Sequence, residues 1–194
     1  MTQTPANPLQ TLINSASVLP ARTGMVDEFR ARRERSAGDE VILADVSGSM
    51  AEPAWGSKRK IDLLREAVAD VSAHHCRMVA FASRAAPCDA AGIPEPAGGT
   101  RLDLGLAEVA RLRPRTTLVI SDGRPDDPDL ALAAADAVTG VIHVLYVGPD
   151  SDADAMAFMD RLARRGTGRY RHADIRERRT VLQQEIRLML GWGG

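Results

Sequence analysis

Apolar and polar positions fall along the chain in blocks of two different periods. Residues 41–44 (Val-Ile-Leu-Ala) form an unbroken apolar run that stops at Asp45, and polar side chains then follow at 45, 47 and 49. A short apolar run closed by Gly and polar residues predicts a strand buried on both faces, as in a parallel sheet. The next block changes period. Ile61, Leu64, Val68 and Val71 recur at steps of three and four, which predicts a helix over 60–75 with one stripe turned to a sheet. The alternation then repeats: strand 77–83, helix 102–112 stopped by Pro114, strand 116–120, helix to about 138, strand 141–147, helix 152–165, and a short strand near 169–172. A last helix carries Leu182, Ile186 and Met189 on one face. Residues 87–96 have turn signals and little periodicity, predicting a long loop with room for a short edge strand. End signals accompany the helices: Asp127-Pro128 as N-cap and first position, Asp174 and Glu177 at capping-box spacing, and Gly140 and Gly166 as C-terminal stops. Strand and helix in alternation predict an α/β, Rossmann-like doubly wound domain, with a mostly parallel central sheet flanked by helices on both faces.

Residues 1–39 stand apart from this pattern as a partly helical N-terminal extension, leaving 40–194 as the α/β domain. Asn7-Pro8 is a cap and first helical position, followed by Leu9, Leu12 and Ile13 on one face, with Pro20 ending the segment. A second candidate helix over 25–35 has Val26 and Phe29 as its apolar pair and closes on an arginine-rich run over 30–35. That run is a solvated helix face, or a patch for an anionic partner. The extension either packs on the sheet edge or serves as a docking arm.

Composition narrows the function classes. A chain of 194 residues with 44% apolar content can bury a proper core as one domain with some extra length. A net charge of −1 argues against a nucleic-acid binder held by phosphate contacts. Lys58 and Lys60 are the chain's two lysines; the other basic residues are arginines, which fits genomic base composition. No apolar stretch approaches the roughly 20 residues of a membrane span. Residues 1–20 lack the basic and apolar segments of a signal peptide, and Cys76 (beside a strand) and Cys88 (in a loop) form no spacing motif. Free thiols and a cytoplasmic location are therefore expected.

The candidate chemistry lies where the first strand ends. Asp45-x-Ser47-x-Ser49 places one carboxylate and two hydroxyls in a single loop. All are hard oxygen donors of the kind that suit Mg²⁺ or Mn²⁺. Open α/β sheets bind their ligands at this end of the strands. Downstream lie Gly98-Gly99-Thr100 and the strand-end run Leu118-Val-Ile-Ser-Asp122-Gly123. With these three elements in this order, the chain over about 40–190 resembles the von Willebrand factor A domain family with its metal-ion-dependent adhesion site. The resemblance implies that Ser47, Ser49 and Thr100 donate hydroxyl oxygens directly to a metal, and that Asp45 and Asp122 act mainly through ordered waters. The implied ion is Mg²⁺, with Mn²⁺ or Ca²⁺ as alternatives. It keeps one open position for an Asp or Glu carboxylate of a partner protein, and alanine at Asp45 or Asp122 is expected to abolish cation-dependent binding with the fold largely intact. Intracellular bacterial members of the family commonly work beside AAA+ ATPases or in multi-protein assemblies. This chain carries no Walker motif, so any such ATPase is another chain.

Plainer readings stand beside this one. Ser47 and Ser49 are also turn residues able to bond their own backbone. Asp122-Gly123 also reads as a strand-end turn, and Thr100 as a helix N-cap with Asp103 at its third position. Asp126, Asp127 and Asp129 add negative potential near the ion, although Asp127 is more simply the N-cap. His74-His75-Cys76 sits at a helix end, where adjacent residues do not share a face; His143 reads as a partly buried strand residue and His172 as a surface one. Trp192 is a loose tail or a docking anchor. Two other function classes remain: a metal-dependent hydrolase of haloacid-dehalogenase phosphatase type, and a scaffold subunit whose metal site is vestigial. The first requires an acid two positions after Asp45, where the chain has Ser47; a serine hydrolase is disfavoured as well, since no Gly-x-Ser-x-Gly elbow surrounds either serine.

Overall fold

The computed structural model describes residues 40–54, 56–69, 76–175 and 181–191. The predicted helices of 1–39, the far end of the helix over 70–75 with His74 and His75, Glu177 of the capping box, and Trp192 lie outside the described residues. Six strands form one sheet among them: β1 (Glu40–Asp45), β2 (Arg77–Phe81), β3 (Ala85–Cys88), β4 (Thr116–Ser121), β5 (Val141–Tyr146) and β6 (Thr167–His172), in the order β3-β2-β1-β4-β5-β6. All neighbours pair parallel except β3, which runs antiparallel along the edge of β2 with Phe81 opposite Ala85. The helices are α1 (Lys60–Ala69), α2 (Leu102–Leu112), α3 (Pro128–Ala135), α4 (Ala153–Arg165) and α5 (Val181–Met189).

The unbroken apolar run of β1 is explained by burial on both faces. Ile42 and Ala44 join Ile61, Leu64 and Val68 of α1 and Leu182, Ile186 and Met189 of α5 in one core layer. Val41 and Leu43, pointing the other way, join Leu102, Leu106 and Val109 of α2 and Phe158, Met159 and Leu162 of α4 in the second. Successive strand side chains alternate between faces, so one four-residue run feeds both layers. The result is the doubly wound, mostly parallel Rossmann-like sheet that the alternation predicted.

Several local readings are corrected. β2 ends at Phe81 rather than 83, and the chain turns at once into β3, so Cys88 closes an edge strand instead of lying in a loop. α3 ends at Ala135, five residues before Gly140, which is therefore not its stop. Gly140 answers a different demand: a Cβ there would sit 2.3 Å from the Pro114 carbonyl oxygen, so the backbone passes too close for any side chain. Gly166 does close α4, yet with φ −82°, and the left-handed turn falls to Thr167 at φ 55°. Asp127 caps α3 as predicted, accepting the Leu130 N–H at 2.9 Å, and Asp152, read from sequence as the first residue of its helix, instead caps α4, accepting the Ala155 N–H at 2.9 Å.

Candidate metal centre

The chain leaves β1 toward β2 and β3, then crosses back through α2 to β4 on the other side of β1. Strand order therefore reverses between β1 and β4, and the crevice beyond their C-terminal ends is where open α/β sheets take ligands. β1 delivers Asp45 there and β4 delivers Ser121 and Asp122, with Ala44 paired to Ile120.

Asp45 is fully buried. Its Oδ1 accepts the Ser47 N–H at 2.8 Å and its Oδ2 accepts the Ser121 hydroxyl at 2.5 Å. Burial pushes its carboxyl up to about 6; the hydrogen bonds from Ser121 and Ser47 work against that rise, and the nearby Asp122 carboxylate adds to it. Ser47 precedes a 3₁₀ turn, Gly48–Ala51, without capping it through its hydroxyl. Instead the Ser47 and Ser49 hydroxyl oxygens lie 3.1 Å apart, and Ser49 donates to Asp122 Oδ1 at 2.7 Å. The serine side chains are thus turned toward each other and Asp122, not back onto their own turn. Asp45, Ser47, Ser49 and Asp122 form one cluster, joined by Ser121.

Thr100 arrives by another route. Gly98 lies at φ +77°, where a Cβ would come within 2.4 Å of the Ser83 hydroxyl oxygen, so the loop requires glycine. The Gly98 carbonyl accepts the Gly48 N–H at 3.0 Å, which ties this loop to the serine loop. Asp126 holds Thr100 from both sides: its Oδ1 accepts the Thr100 N–H at 3.0 Å, and its own N–H donates to the Thr100 carbonyl at 3.0 Å. The Thr100 hydroxyl makes no hydrogen bond to the cluster among the described residues. Thr100 is also not the cap of α2; that position is Arg101, without a side-chain cap bond.

Lys60 completes the site. At the start of α1, it reaches over to donate to Asp122 Oδ2 at 2.6 Å and to Glu52 Oε2 at 2.7 Å. The Lys60 and Asp122 side chains are 3% and 0% exposed, whereas Glu52 is 58% exposed. Burial works to lower the Lys60 pKa, and the two carboxylates outweigh it, so the ammonium is held charged above its ordinary value. Oxygen-only donors and a wholly buried Asp45 carboxylate with only hydroxyl and amide partners fit a hard divalent cation. Among the described residues no three His, Cys, Asp or Glu side chains gather as a metal site, so the candidate set depends on hydroxyls as much as on carboxylates.

No protein-family model and no curated protein matches this chain. Among solved structures it is similar to the manganese-loaded TRAP protein of Plasmodium vivax, with a TM-score of 0.55 and 18% identity over 80% of this chain and 72% of that one. The fold is von Willebrand factor A-like. In this A-like domain, His143, His172 and the two thiols are accounted for structurally. His143 Nδ1 accepts the Arg169 N–H at 3.0 Å, and burial, then Arg169, hold its pKa down. His172 is not a surface residue: its side chain is 20% exposed, between the Gly148 carbonyl at 3.0 Å and Asp150 at 2.9 Å. Both thiols are free; burial pushes Cys76 up to about 12 and raises Cys88, so neither is a ready nucleophile. No helix among the described residues is long and apolar enough to cross a membrane.

Sequence reasoning passed over Lys60, Ser121 and the clamping role of Asp126. A faint signal existed for Lys60, a lysine at the first turn of the helix after the serine loop in a chain whose basic residues are otherwise nearly all arginine. Ser121 had no separate local signal, and Asp126 was read only as negative potential near the ion, not as the group that holds Thr100.

Proposed function

We propose that this A-like domain is a non-catalytic, divalent-cation-dependent protein-interaction module that captures an Asp or Glu carboxylate of a partner. The observation that carries this reading is the cluster Asp45–Ser47–Ser49–Asp122 at the point where strand order reverses. There, Ser47, Ser49 and Thr100 would hold Mg²⁺, or Mn²⁺ or Ca²⁺, through hydroxyls, with Asp45 and Asp122 behind them. A bound ion would supply an electrophilic position for an anion, because neutral hydroxyls leave its charge largely uncompensated. The chain's own part is to hold the hydroxyls in register: Asp45 fixes the Ser47 backbone, Asp122 orients the Ser49 hydroxyl, and Asp126 fixes Thr100. An open pocket of about 430 Å³ beside Gly98, lined by Val46, Ala82, Ala85, Cys88 and Pro94, gives a partner segment apolar surface next to the carboxylate site. We place the protein in the cytoplasm of a bacterium, as an accessory subunit of a multi-protein system in which an AAA+ ATPase is a fitting partner.

A hydrolase of phosphatase type is disfavoured by the position of Asp45. A nucleophile needs access to substrate, and this carboxylate is buried with both oxygens engaged. One observation favours the vestigial-scaffold reading: an ammonium already occupies Asp122 Oδ2. A Mn²⁺ titration of the wild type and of Asp122→Ala, with and without millimolar acetate, separates the two. The module reading expects one saturable site, tightened by acetate and lost in the variant. No saturable site in the wild type under either condition sinks it.

A further inference from the structure

Lys60 is the one buried ammonium among the described residues, and the module reading gives it no task. It shares Asp122 with the serine cluster: Oδ2 accepts from Lys60 Nζ at 2.6 Å, while Oδ1 accepts from Ser49 at 2.7 Å. One carboxylate therefore faces a fixed cation on one side and the candidate metal donors on the other. A lysine ammonium is a compact point charge, and removing water from around it strengthens its repulsion of any second cation nearby. The two buried carboxylates, Asp45 and Asp122, supply two negative charges, and the buried ammonium of Lys60, shared between Asp122 and the solvent-exposed Glu52, offsets part of them. A divalent ion arriving alone would find too little negative charge to balance it. The carboxylate of a partner would bring the missing charge.

We propose that Lys60 is a built-in counter-cation that weakens the binding of a divalent ion alone and makes loading depend on the partner's carboxylate. This rests on the module reading for its metal, and it adds the reason that loading and partner capture are coupled. Lys60 is thus a positioning and charge-setting residue acting through Asp122. Its second partner, Glu52, lies toward solvent and keeps the ammonium anchored whether or not Asp122 is shared.

The sign of the effect separates this role from a structural one. Damage to the site loosens cation binding, whereas removal of a competing positive charge tightens it. Mn²⁺ binding to the full chain is measured at neutral pH for wild type, Lys60→Gln and Lys60→Met, each with and without acetate, with thermal unfolding in parallel. Gln keeps a hydrogen-bond donor without the charge, so it covers the case in which Met does not fold without metal. The expected result is at least tenfold tighter binding of Mn²⁺ alone in Lys60→Gln, a smaller gain from acetate than in wild type, and a larger rise in Tm on adding Mn²⁺. If wild type binds Mn²⁺ and Lys60→Gln binds it equally or more weakly, the lysine inference falls and the module reading stands. If wild type is silent with and without acetate while Lys60→Gln gains a site, the coupling to a partner's carboxylate falls together with the module reading. Silence in all three proteins overturns both.

Discussion

Replacing Asp122 by Ala removes one half of a buried ion pair, and the consequences for stability can be worked from the packing around it. The Lys60 and Asp122 side chains are 3% and 0% exposed, with Nζ 2.6 Å from Oδ2. Deleting one member of such a pair typically costs about 3–5 kcal/mol, because the survivor is left charged in a poorly solvated place. Here Lys60 keeps the Glu52 contact at 2.7 Å, and Glu52 is open to water, which places the loss near the lower end, about 3 kcal/mol. For a domain of this size that corresponds to a fall in Tm of about 6–12 °C. The fold of Asp122→Ala is therefore expected to persist, with reduced stability. Asp122→Ala, Lys60→Met and the double variant form a cycle in urea unfolding. With neither charge present nothing is stranded, so the double variant is expected to be more stable than the sum of the single losses by about 1.5 kcal/mol or more. Strict additivity would refute the claim that the two charges are energetically one unit, and a loss below about 1 kcal/mol in Asp122→Ala would show the site to be more open to water than its burial states.

Three further outcomes follow from the same geometry. Asp45 has a folded pKa raised from 3.8 to about 6, so the folded state binds more protons than the unfolded between those values. The stability tied to this group is therefore fully present below about pH 4 and lost as pH rises through 6, by roughly 3 kcal/mol at about 1.36 kcal/mol per unit. Asp45→Asn is expected to flatten that slope in metal-free thermal unfolding across pH 4–7, and an unchanged slope would count against it. Gly98→Ala places a Cβ 2.4 Å from the Ser83 hydroxyl oxygen at φ +77° and should cost about 1–3 kcal/mol while weakening Mn²⁺ binding through the displaced Thr100, as unfolding and Mn²⁺ titration together would report. Asp126→Ala frees the Thr100 N–H at an exposed position, so a stability loss of about 1 kcal/mol or less is expected alongside a several-fold weaker Mn²⁺ affinity, with Asp126→Asn closer to wild type in titration.

Much of this protein is written in short-range patterns. The four-residue apolar run of β1, the three-and-four spacing of Ile61, Leu64 and Val68, and the caps at Asp127 and Asp152 each express a local rule. Such rules depend on helix and strand periods of a few residues and survive without knowledge of the fold. Asp45, Ser47 and Ser49 belong to the same class, since one loop carries all three. Tertiary structure alone decided the rest. Lys60 and Asp122 are 62 positions apart, and Ser121 and Asp45 are 76 apart. Ser121 and Asp45 meet because β1 and β4 lie side by side in parallel register, and Lys60 reaches Asp122 from the start of α1, neither of which a sequence period encodes. Gly140 shows the same limit from the other direction. Its position after a helix suggested a stop, while the close passage of the Pro114 carbonyl, 26 residues earlier in the chain, is what excludes a side chain there. The donor types at the candidate site were therefore legible as sequence, but the charge that balances them was not, because electrostatic balance is summed over space and the chain reports only order.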